Sequence, residues 1–285
     1  MSRRLLRDLG TWRFWARFGL RVFAVVGVEA MLLGLFDVIK PDAISKLNFP
    51  VILAVVLIAL IIGAVRSWPR PVEEKYSAPK TEIRLIPGNL FECADNLVIG
   101  MSNTFDTAVP HIIQRGSVQG QFLEKVYKQD QDALDQDLNR ALGGVQSCGT
   151  IEKPGKTTTY PVGTIAVLRH HRTHYFCVAY SAMDKNNNAQ ADIDGLWRSL
   201  MNLWEAVRQT TNGEAVAIPI IGGGQSRLSQ VLPAQDSIRF IALSFMFASR
   251  QKRVCERLDI FVRPEDLNRI DMLEFQDFLT SLKPS

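Results

Sequence analysis

The sequence predicts an α/β domain with a mixed sheet flanked by helices, preceded by an α-helical hairpin that crosses a membrane twice. Three observations predict this architecture. Two long apolar runs lie near the start of the chain, a proline-rich polar stretch follows them, and short apolar runs then alternate with longer amphipathic ones. Of the 285 residues, 47% are hydrophobic and 22% are charged, which is typical of a globular domain with added apolar segments.

Residues 1–21 form a basic arm, and residues 22–66 form the predicted transmembrane hairpin. The arm contains six arginines and one aspartate, which leaves the rest of the chain close to neutral. The apolar runs 22–39 and 49–65 approach the ~20 residues that a helix needs to cross a bilayer. Because the arginines flank the hairpin, we expect both termini in the cytoplasm. Glu29, inside the first run, indicates either a contact with a neighbouring helix or a tolerated, protonated carboxyl group.

Residues 67–80, SWPRPVEEKYSAPK, are predicted to form a stiff linker because they contain three prolines in a polar stretch. The folded domain is expected to span residues 81–285. Its near-neutral charge argues against nucleic-acid binding. The four cysteines and four histidines lack the spacing of a metal site, so we predict reduced thiols and no bound metal.

Each element of the folded domain is predicted from its hydrophobic pattern, and the last six elements alternate strand and helix. This order favours a mixed sheet with helices on both faces, in which ligands bind at the carboxyl ends of strands. Short apolar or alternating runs predict strands at 82–86, 96–101, 162–169, 174–183, 215–221 and 257–262. Amphipathic runs predict helices at 119–128, 132–142, 192–210, 237–250 and 264–282, the last starting at Pro264.

The loop GMSNTFDT, residues 100–107, follows a predicted strand and contains residue types that bind small polar ligands. Asn103 and Asp106 can hydrogen-bond to a ligand, and Phe105 can stack on a ring. The same residue types also form ordinary turns, so this alternative stays open.

A second loop, within AIPIIGGGQSRL, contains three consecutive glycines directly after a predicted buried strand. Residues 222–224 can adopt positive φ and let main-chain N–H groups converge on a phosphate. Arg227 adds a guanidinium group that can bind the same anion. The alternative is a flexible loop that only reverses the chain.

Two further patterns are interpreted as having no binding or catalytic role. EKPGKTTT, residues 152–159, lacks the spacing of a phosphate-binding Walker loop and is predicted to be an exposed basic turn. HHRTH, residues 170–174, is predicted to be a solvated hairpin turn. No motif places a nucleophile beside a base, so nothing in the sequence requires catalysis.

Several stretches together resemble one known family: PGNLFE, VIGMSNTFDT, RGSVQGQF, YPVGTIAV and IPIIGGGQSRL. They resemble a macrodomain, the α/β module that binds ADP-ribose, and more narrowly the macrodomains fused to two transmembrane helices in type II Thoeris anti-phage effectors. The resemblance implies a sensor in the bacterial inner membrane that needs no cofactor. It further implies that a TIR-domain partner makes an ADP-ribose conjugate from NAD, that the macrodomain binds it, and that the effector then forms homo-oligomers that disrupt the lipid bilayer.

The resemblance also implies where the ligand binds. The first loop holds the distal ribose, the glycine loop wraps the diphosphate, and an asparagine occupies the place of an aspartate that contacts adenine. The implied ligand-binding residues are Asn89, Leu90, Asn103, Thr104, Phe105, Asp106, Thr107, Ser117, Gln119, Gly222, Gly223, Gly224, Gln225, Ser226 and Arg227.

Two alternatives to a sensor stay open at this point. One is a membrane-tethered hydrolase that removes ADP-ribose from a modified target, for which Asp106 is the best candidate base. The other is a structural membrane protein whose folded domain only recruits partners.

Overall fold

A computed structural model describes residues 12–39, 56–62, 71–92, 96–221 and 232–284. The chain divides into two compact units, Met1–Pro71 and Val72–Ser285. Each unit is described by itself below.

In the first unit, helix α1 spans Trp12–Ile39 and contains the first predicted apolar run. Residues 56–62, part of the second run, are also helical. Among the described residues, no helix is both long enough and apolar enough to cross a membrane. The side chain of Glu29 lies outside the described residues, as does the rest of the second run. The transmembrane hairpin therefore stays a prediction.

The second unit is built on an eight-stranded mixed sheet flanked by helices, which confirms the α/β part of the predicted fold class. The strands are β1 Val72–Ser77, β2 Lys80–Pro87, β3 Asn96–Ser102, β4 Gly149–Thr150, β5 Thr158–Thr159, β6 Ile165–His170, β7 Thr173–Met183, β8 Ala189–Gln190, β9 Val216–Pro219 and β10 Arg257–Val262. The strand order is β1-β2-β10-β9-β3-β7-β6, with β8 paired to β7, and β4 and β5 form a separate hairpin. β2, β10, β9, β3 and β7 run parallel to one another, whereas β1, β6 and β8 are antiparallel to their neighbours.

Two hydrophobic cores pack against the sheet because successive residues of a strand point to opposite faces. In β3, Val98 belongs to one core, whereas Leu97 and Ile99 belong to the other. The Val98 core includes residues of α4, α5 and α6, and the second core includes residues of α2 and α3. These helices are α2 Val118–Lys125, α3 Gln131–Leu142, α4 Ile193–Thr210, α5 Ala234–Gln251 and α6 Met272–Ser281.

Two boundaries differ from the sequence-based predictions by more than the others do. β1 lies within the stretch predicted as a linker. This segment pairs with β2 along its whole length, and the sheet therefore begins at Val72. The last helix begins at Met272 rather than at Pro264. The carboxylate of Asp271 accepts hydrogen bonds from the main-chain N–H groups of Leu273 and Glu274 and so caps the helix at this point.

Candidate functional site

The parallel strands bring the predicted ligand-binding loops to one edge of the sheet. β9 lies between β10 and β3, so the loops that follow β9 and β3 leave neighbouring strands at their carboxyl ends. The residue predicted to contact adenine, Asn89, follows the end of β2 at the same edge. The glycine run and Arg227 fall in residues 222–231, which lie outside the described residues.

The segment after β3, residues 103–107, is buried although four of its five side chains are polar; we call it the site segment. Asn103 is held on both sides of its amide group. Its Nδ2 donates to the carbonyl of Tyr160 at 3.2 Å, and its Oδ1 accepts from the N–H of Met183 at 2.9 Å. Its main-chain N–H donates to the carbonyl of Ser181 at 2.8 Å. These bonds fix the start of the site segment against β7.

Asp106 forms a buried ion pair that the sequence did not reveal. Its carboxylate lies 2.7 Å from Nζ of Lys153, and the two side chains are 1% and 0% exposed. The same carboxylate accepts hydrogen bonds from Thr104 Oγ1 at 2.6 Å and from the N–H of Lys156 at 2.8 Å. Asp106 is therefore fully engaged inside the protein. The prediction that residues 152–159 form an exposed basic turn is wrong for Lys153, because Asp106 draws its ammonium group into the interior.

The loop between β4 and β5, residues 151–157, closes over the site segment, and we call it the clasp loop. Lys156 Nζ lies 2.6 Å from Asp135 Oδ1, which also accepts a hydrogen bond from Thr107 Oγ1. Gly155 has a φ of +87°, and a Cβ atom built there would meet Asp106 Oδ1 at 2.5 Å. The clasp loop thus requires glycine at this turn for both its backbone conformation and its close approach to Asp106.

Phe105 lies in the hydrophobic core rather than at a surface where it could contact a ligand. Its ring is 0% exposed and lies edge-on against Tyr160, with the ring centroids 5.7 Å apart. The predicted stacking on a ligand would require this ring to leave the core. The backbone of Phe105 has a φ of 51°, which is uncommon for a bulky residue. Such conformations occur preferentially at ligand-binding sites, and they turn adjacent N–H groups towards one side.

Three main-chain N–H groups of the site segment have no acceptor among the described residues. No described residue accepts a hydrogen bond from the N–H groups of Thr104, Asp106 or Thr107, and all three residues are at most 2% exposed. Buried N–H groups without an acceptor are rare in folded proteins. These three main-chain N–H groups are therefore candidate donors to a ligand, whereas the side chains of Asn103, Thr104, Asp106 and Thr107 form hydrogen bonds within the protein.

The other predicted site residues support the local backbone. Ser117 caps α2, because its Oγ accepts from the N–H of Gly120 at 3.0 Å. Gln119 Nε2 donates to the main-chain carbonyl of Asp106, which joins α2 to the site segment. Asn89 Oδ1 accepts from the N–H of Phe91 at 3.1 Å, and Leu90 is buried in the core. The Asn89 carbonyl retains a second lone pair with which it can accept from a ligand.

The opposite edge of the sheet has a different polar arrangement. Asn96 Oδ1 lies 3.0 Å from Nδ1 of His174, and Asn96 Nδ2 donates to the carbonyl of Ala215. Burial lowers the pKa of the His174 imidazole, and this effect outweighs the smaller opposing effect of Glu214. Within the described residues, no group of histidine, cysteine and acidic side chains could hold a metal ion.

Sequence reasoning missed the clasp loop as a part of this site. Lys153 and Asp106 lie far apart in the chain, and no pattern within either segment indicates that they meet. The Pro154–Gly155 pair predicts a turn, but the position of that turn over β3 follows only from the pairing of β4 with β5 and the docking of Tyr160 on Asn103.

Comparisons with known proteins add independent information on the fold. The sequence model of the family described as "Thoeris protein ThsA, Macro domain" matches residues 83–263. Over 205 residues the chain is 25% identical to the Thoeris protein ThsA of Bacillus amyloliquefaciens (strain Y2), covering 70% of this chain and 68% of that protein.

Solved structures of the Oceanobacillus iheyensis macrodomain are also similar. A mutant form is 12% identical and covers 73% of this chain and 98% of its own, with a TM-score of 0.49. A second mutant, solved with ADPR, is 11% identical and covers 73% of this chain and 99% of its own, with the same TM-score.

Proposed function

This chain belongs to the Thoeris protein ThsA macro-domain family, and on that premise we propose that it is an anti-phage effector that senses an ADP-ribose-derived nucleotide. The folded unit Val72–Ser285 is the sensor, and the ligand lies at the carboxyl ends of the parallel strands. The protein acts by binding this nucleotide and does not turn it over.

The main-chain N–H groups of the site segment are the observation that carries this proposal. Three buried donors within four residues, with no acceptor among the described residues, suit an anion or a ribose hydroxyl group. The side chains around them are fixed by Tyr160, Met183 and Lys153 before any ligand arrives. A site organised in advance loses little conformational entropy on binding, which favours affinity.

The end of β9 and the start of α5 favour a diphosphate-binding site beside the site segment. Ser237 Oγ of α5 donates to the carbonyl of Ile221 at 2.8 Å, so the residue just before the glycine run is fixed against the first turns of α5. No described side chain caps the N-terminus of α5. Helix N-termini and glycine-rich turns both present N–H groups that favour phosphate, and Arg227 adds positive charge.

The environment of Asp106 argues against the hydrolase alternative. A general base must reach the proton that it removes, directly or through one water molecule. The Asp106 carboxylate instead pairs with the buried ammonium group of Lys153 and accepts two further hydrogen bonds. The best candidate base is therefore part of the scaffold, which favours a sensor that binds without turnover.

The remaining steps of the proposal concern the membrane. We propose that residues 22–39 and 49–65 anchor the chain as a two-pass hairpin in the bacterial inner membrane, with the sensor in the cytoplasm. A TIR-domain enzyme supplies the nucleotide from NAD, and ligand-bound copies assemble and disrupt the bilayer. Ligand binding can drive this step only if the assembled state binds the nucleotide more tightly than the resting state does.

Calorimetric titration of the full chain with ADP-ribose tests the proposal. We expect measurable binding, and the Arg227→Ala variant should bind about 10- to 100-fold more weakly because it loses a charge-assisted hydrogen bond. Arg140→Ala is the matched control, since Arg140 is exposed on α3 and pairs only locally with Asp137. If neither ADP-ribose nor NAD gives heat with the wild-type chain, the proposed sensor is wrong.

A turnover assay separates the sensor from the hydrolase. The purified chain is incubated with an ADP-ribosylated protein, and released ADP-ribose is measured by mass spectrometry. We expect no release above that of the Asp106→Asn variant. Release that depends on Asp106 would support the hydrolase instead.

A further inference from the structure

Two helices on one side of the sheet expose an aromatic surface. Phe247 of α5 and Ile193 of α4 are each 42% exposed. The ring of Trp197 lies edge-on against Phe240 and Phe247, with centroid distances of 5.2 and 6.0 Å. We call this surface the aromatic face; it consists of Ile193, Trp197, Met201, Phe240, Leu243 and Phe247.

The aromatic face borders the surface with which α4 and α5 pack onto the sheet: Met201, Phe240 and Leu243 also contact the core, whereas Ile193 and Phe247 are exposed. Leu196 and Leu200 of α4 and Phe245 of α5 are at most 1% exposed and belong to the core. Residues 193, 197 and 201 repeat at intervals of four and therefore form a second apolar row on α4. A helix at the surface needs one apolar stripe to pack, and contiguous exposed apolar groups mark interaction surfaces.

The charged residues beside the aromatic face can pair with the same residues of a second copy of the chain. Asp194 and Arg198 lie about one turn apart on α4, and both are exposed. Neither forms an ion pair with another residue in the part of the chain that the structure describes. If two copies place α4 antiparallel about a two-fold axis near Trp197, Asp194 of each copy meets Arg198 of the other. A contact made twice in this way is the property of an isologous interface.

From the apolar surface and this reciprocity of charge, we propose that the aromatic face is the surface through which two copies of this chain associate. Trp197, at the centre of the face, is the type of residue that dominates binding energy in protein interfaces. The flanking pairs of Asp194 with Arg198 set the antiparallel orientation of the two helices.

The size of the aromatic face implies a weak interface. A stable complex buries about 800 Å² on each partner, which is more than six partly exposed side chains provide. Association should therefore depend on concentration and strengthen when copies are tethered to one surface. Helix α5 carries half of the face and is bonded through Ser237 to the strand end before the glycine run. An effect of the nucleotide on association rests on the proposed function, whereas association through the aromatic face does not depend on it.

Sedimentation velocity of the full chain in detergent, over a range of concentrations, tests this proposal. We expect reversible dimers, and Phe247→Glu should raise the dimer dissociation constant at least tenfold because it places a charge in the apolar contact. Arg198→Glu should weaken dimers through repulsion from Asp194. The exchange of both charges, Asp194→Arg with Arg198→Asp, should restore them, an outcome that a merely misfolded variant does not give.

Asn139→Asp is the matched control, because it adds one negative charge to an exposed position of α3 on the other side of the sheet. It should leave association unchanged. Dimers unaffected by Phe247→Glu and Arg198→Glu would overturn the proposal, as would a monomeric wild-type chain at all concentrations with and without ADP-ribose. Calorimetry of Phe247→Glu with ADP-ribose distinguishes the proposed nucleotide binding from the proposed association, since nucleotide binding should persist in this variant.

Discussion

The site segment and the aromatic face depart from the usual distribution of residues in opposite ways. Residues 103–107 place polar side chains in the interior, at most 9% exposed, whereas the α4–α5 surface leaves Phe247 42% exposed. Buried polar groups and exposed apolar surfaces are the two informative exceptions to burial of apolar residues. In the proposed function, the main-chain groups of the first region bind a small ligand. In the proposed association, the exposed apolar groups of the second region contact another copy of the chain.

The difference also concerns where each region's stability comes from. The site segment is held by specific polar bonds, and each one leaves a costly unpaired group if its partner is removed. Ile193 and Phe247 of the aromatic face contribute less to folding than core residues do, because their side chains remain partly in water. Substitutions should therefore damage stability in the first region and association in the second.

The largest expected effect is that of Asp106→Ala. This change leaves the fully buried Lys153 ammonium group without its counter-charge and should lower the free energy of unfolding by about 3–5 kcal/mol. Denaturation in urea followed by circular dichroism measures it. Lys156→Met removes the partly exposed pair with Asp135 and should cost at most about 1 kcal/mol. If the two variants lost equal free energies of unfolding, the buried pair would contribute no more to stability than the partly exposed pair does.

Gly155→Ala should have the next largest effect. Alanine is strained at a φ of +87°, and its Cβ would also meet Asp106 and Ile112, so we expect a loss of about 2–4 kcal/mol. Gly213 has a φ of +86° but nothing within 4 Å of a Cβ atom, so Gly213→Ala isolates the backbone strain of about 1–2 kcal/mol. The same thermal or urea assay applies, and a loss no larger in Gly155→Ala than in Gly213→Ala would contradict the close docking of the clasp loop.

A smaller effect should appear at the opposite edge of the sheet. Because burial lowers the pKa of His174, the unfolded chain binds a proton there more readily than the folded chain does. Stability should therefore fall as the pH drops through the ordinary histidine value of 6.5 towards the lower folded pKa, and this loss should be absent in His174→Asn. Unfolding measured from pH 7.5 to 5.5 in both proteins checks the sign. A wild-type chain that becomes more stable over this range relative to the variant would contradict it.

The smallest effect on stability should come from the aromatic face. Phe247→Ala should change the free energy of unfolding by no more than about 1 kcal/mol, since the side chain is already partly exposed. Trp204→Ala, on the same side of the sheet, removes a fully buried ring and should cost about 3–5 kcal/mol. Unfolding at a concentration that keeps both variants monomeric provides the test, and similar losses would place Phe247 in the core.

Much of the fold could be predicted from hydrophobic periodicity. The strand 257–262 is observed at its predicted bounds, and Leu196, Leu200, Leu203 and Val207 share the buried face of α4 as their spacing indicates. β1 was missed because its alternation is short and the three prolines of residues 67–80 favour a linker. Its place in the sheet depends on pairing with β2, which local sequence does not reveal.

Less of the site could be predicted, because its geometry depends on contacts between distant segments. The sequence identified residues 103–107 from their polar composition. It could not show that Asp106 would pair with Lys153 or that Phe105 would enter the core. Residue type gives the chemistry that a side chain can perform, whereas tertiary contacts decide whether that chemistry is directed at a ligand or at the protein.

Hydrogen exchange of the full chain with and without saturating ADP-ribose tests the central claim most directly, because it reports on the main-chain N–H groups themselves. The account predicts slower exchange in peptides covering residues 103–107 and 219–228 when the nucleotide is present, with little change in α4. Unchanged exchange in both peptides, at a concentration where calorimetry shows the nucleotide bound, would contradict a site built on these main-chain donors.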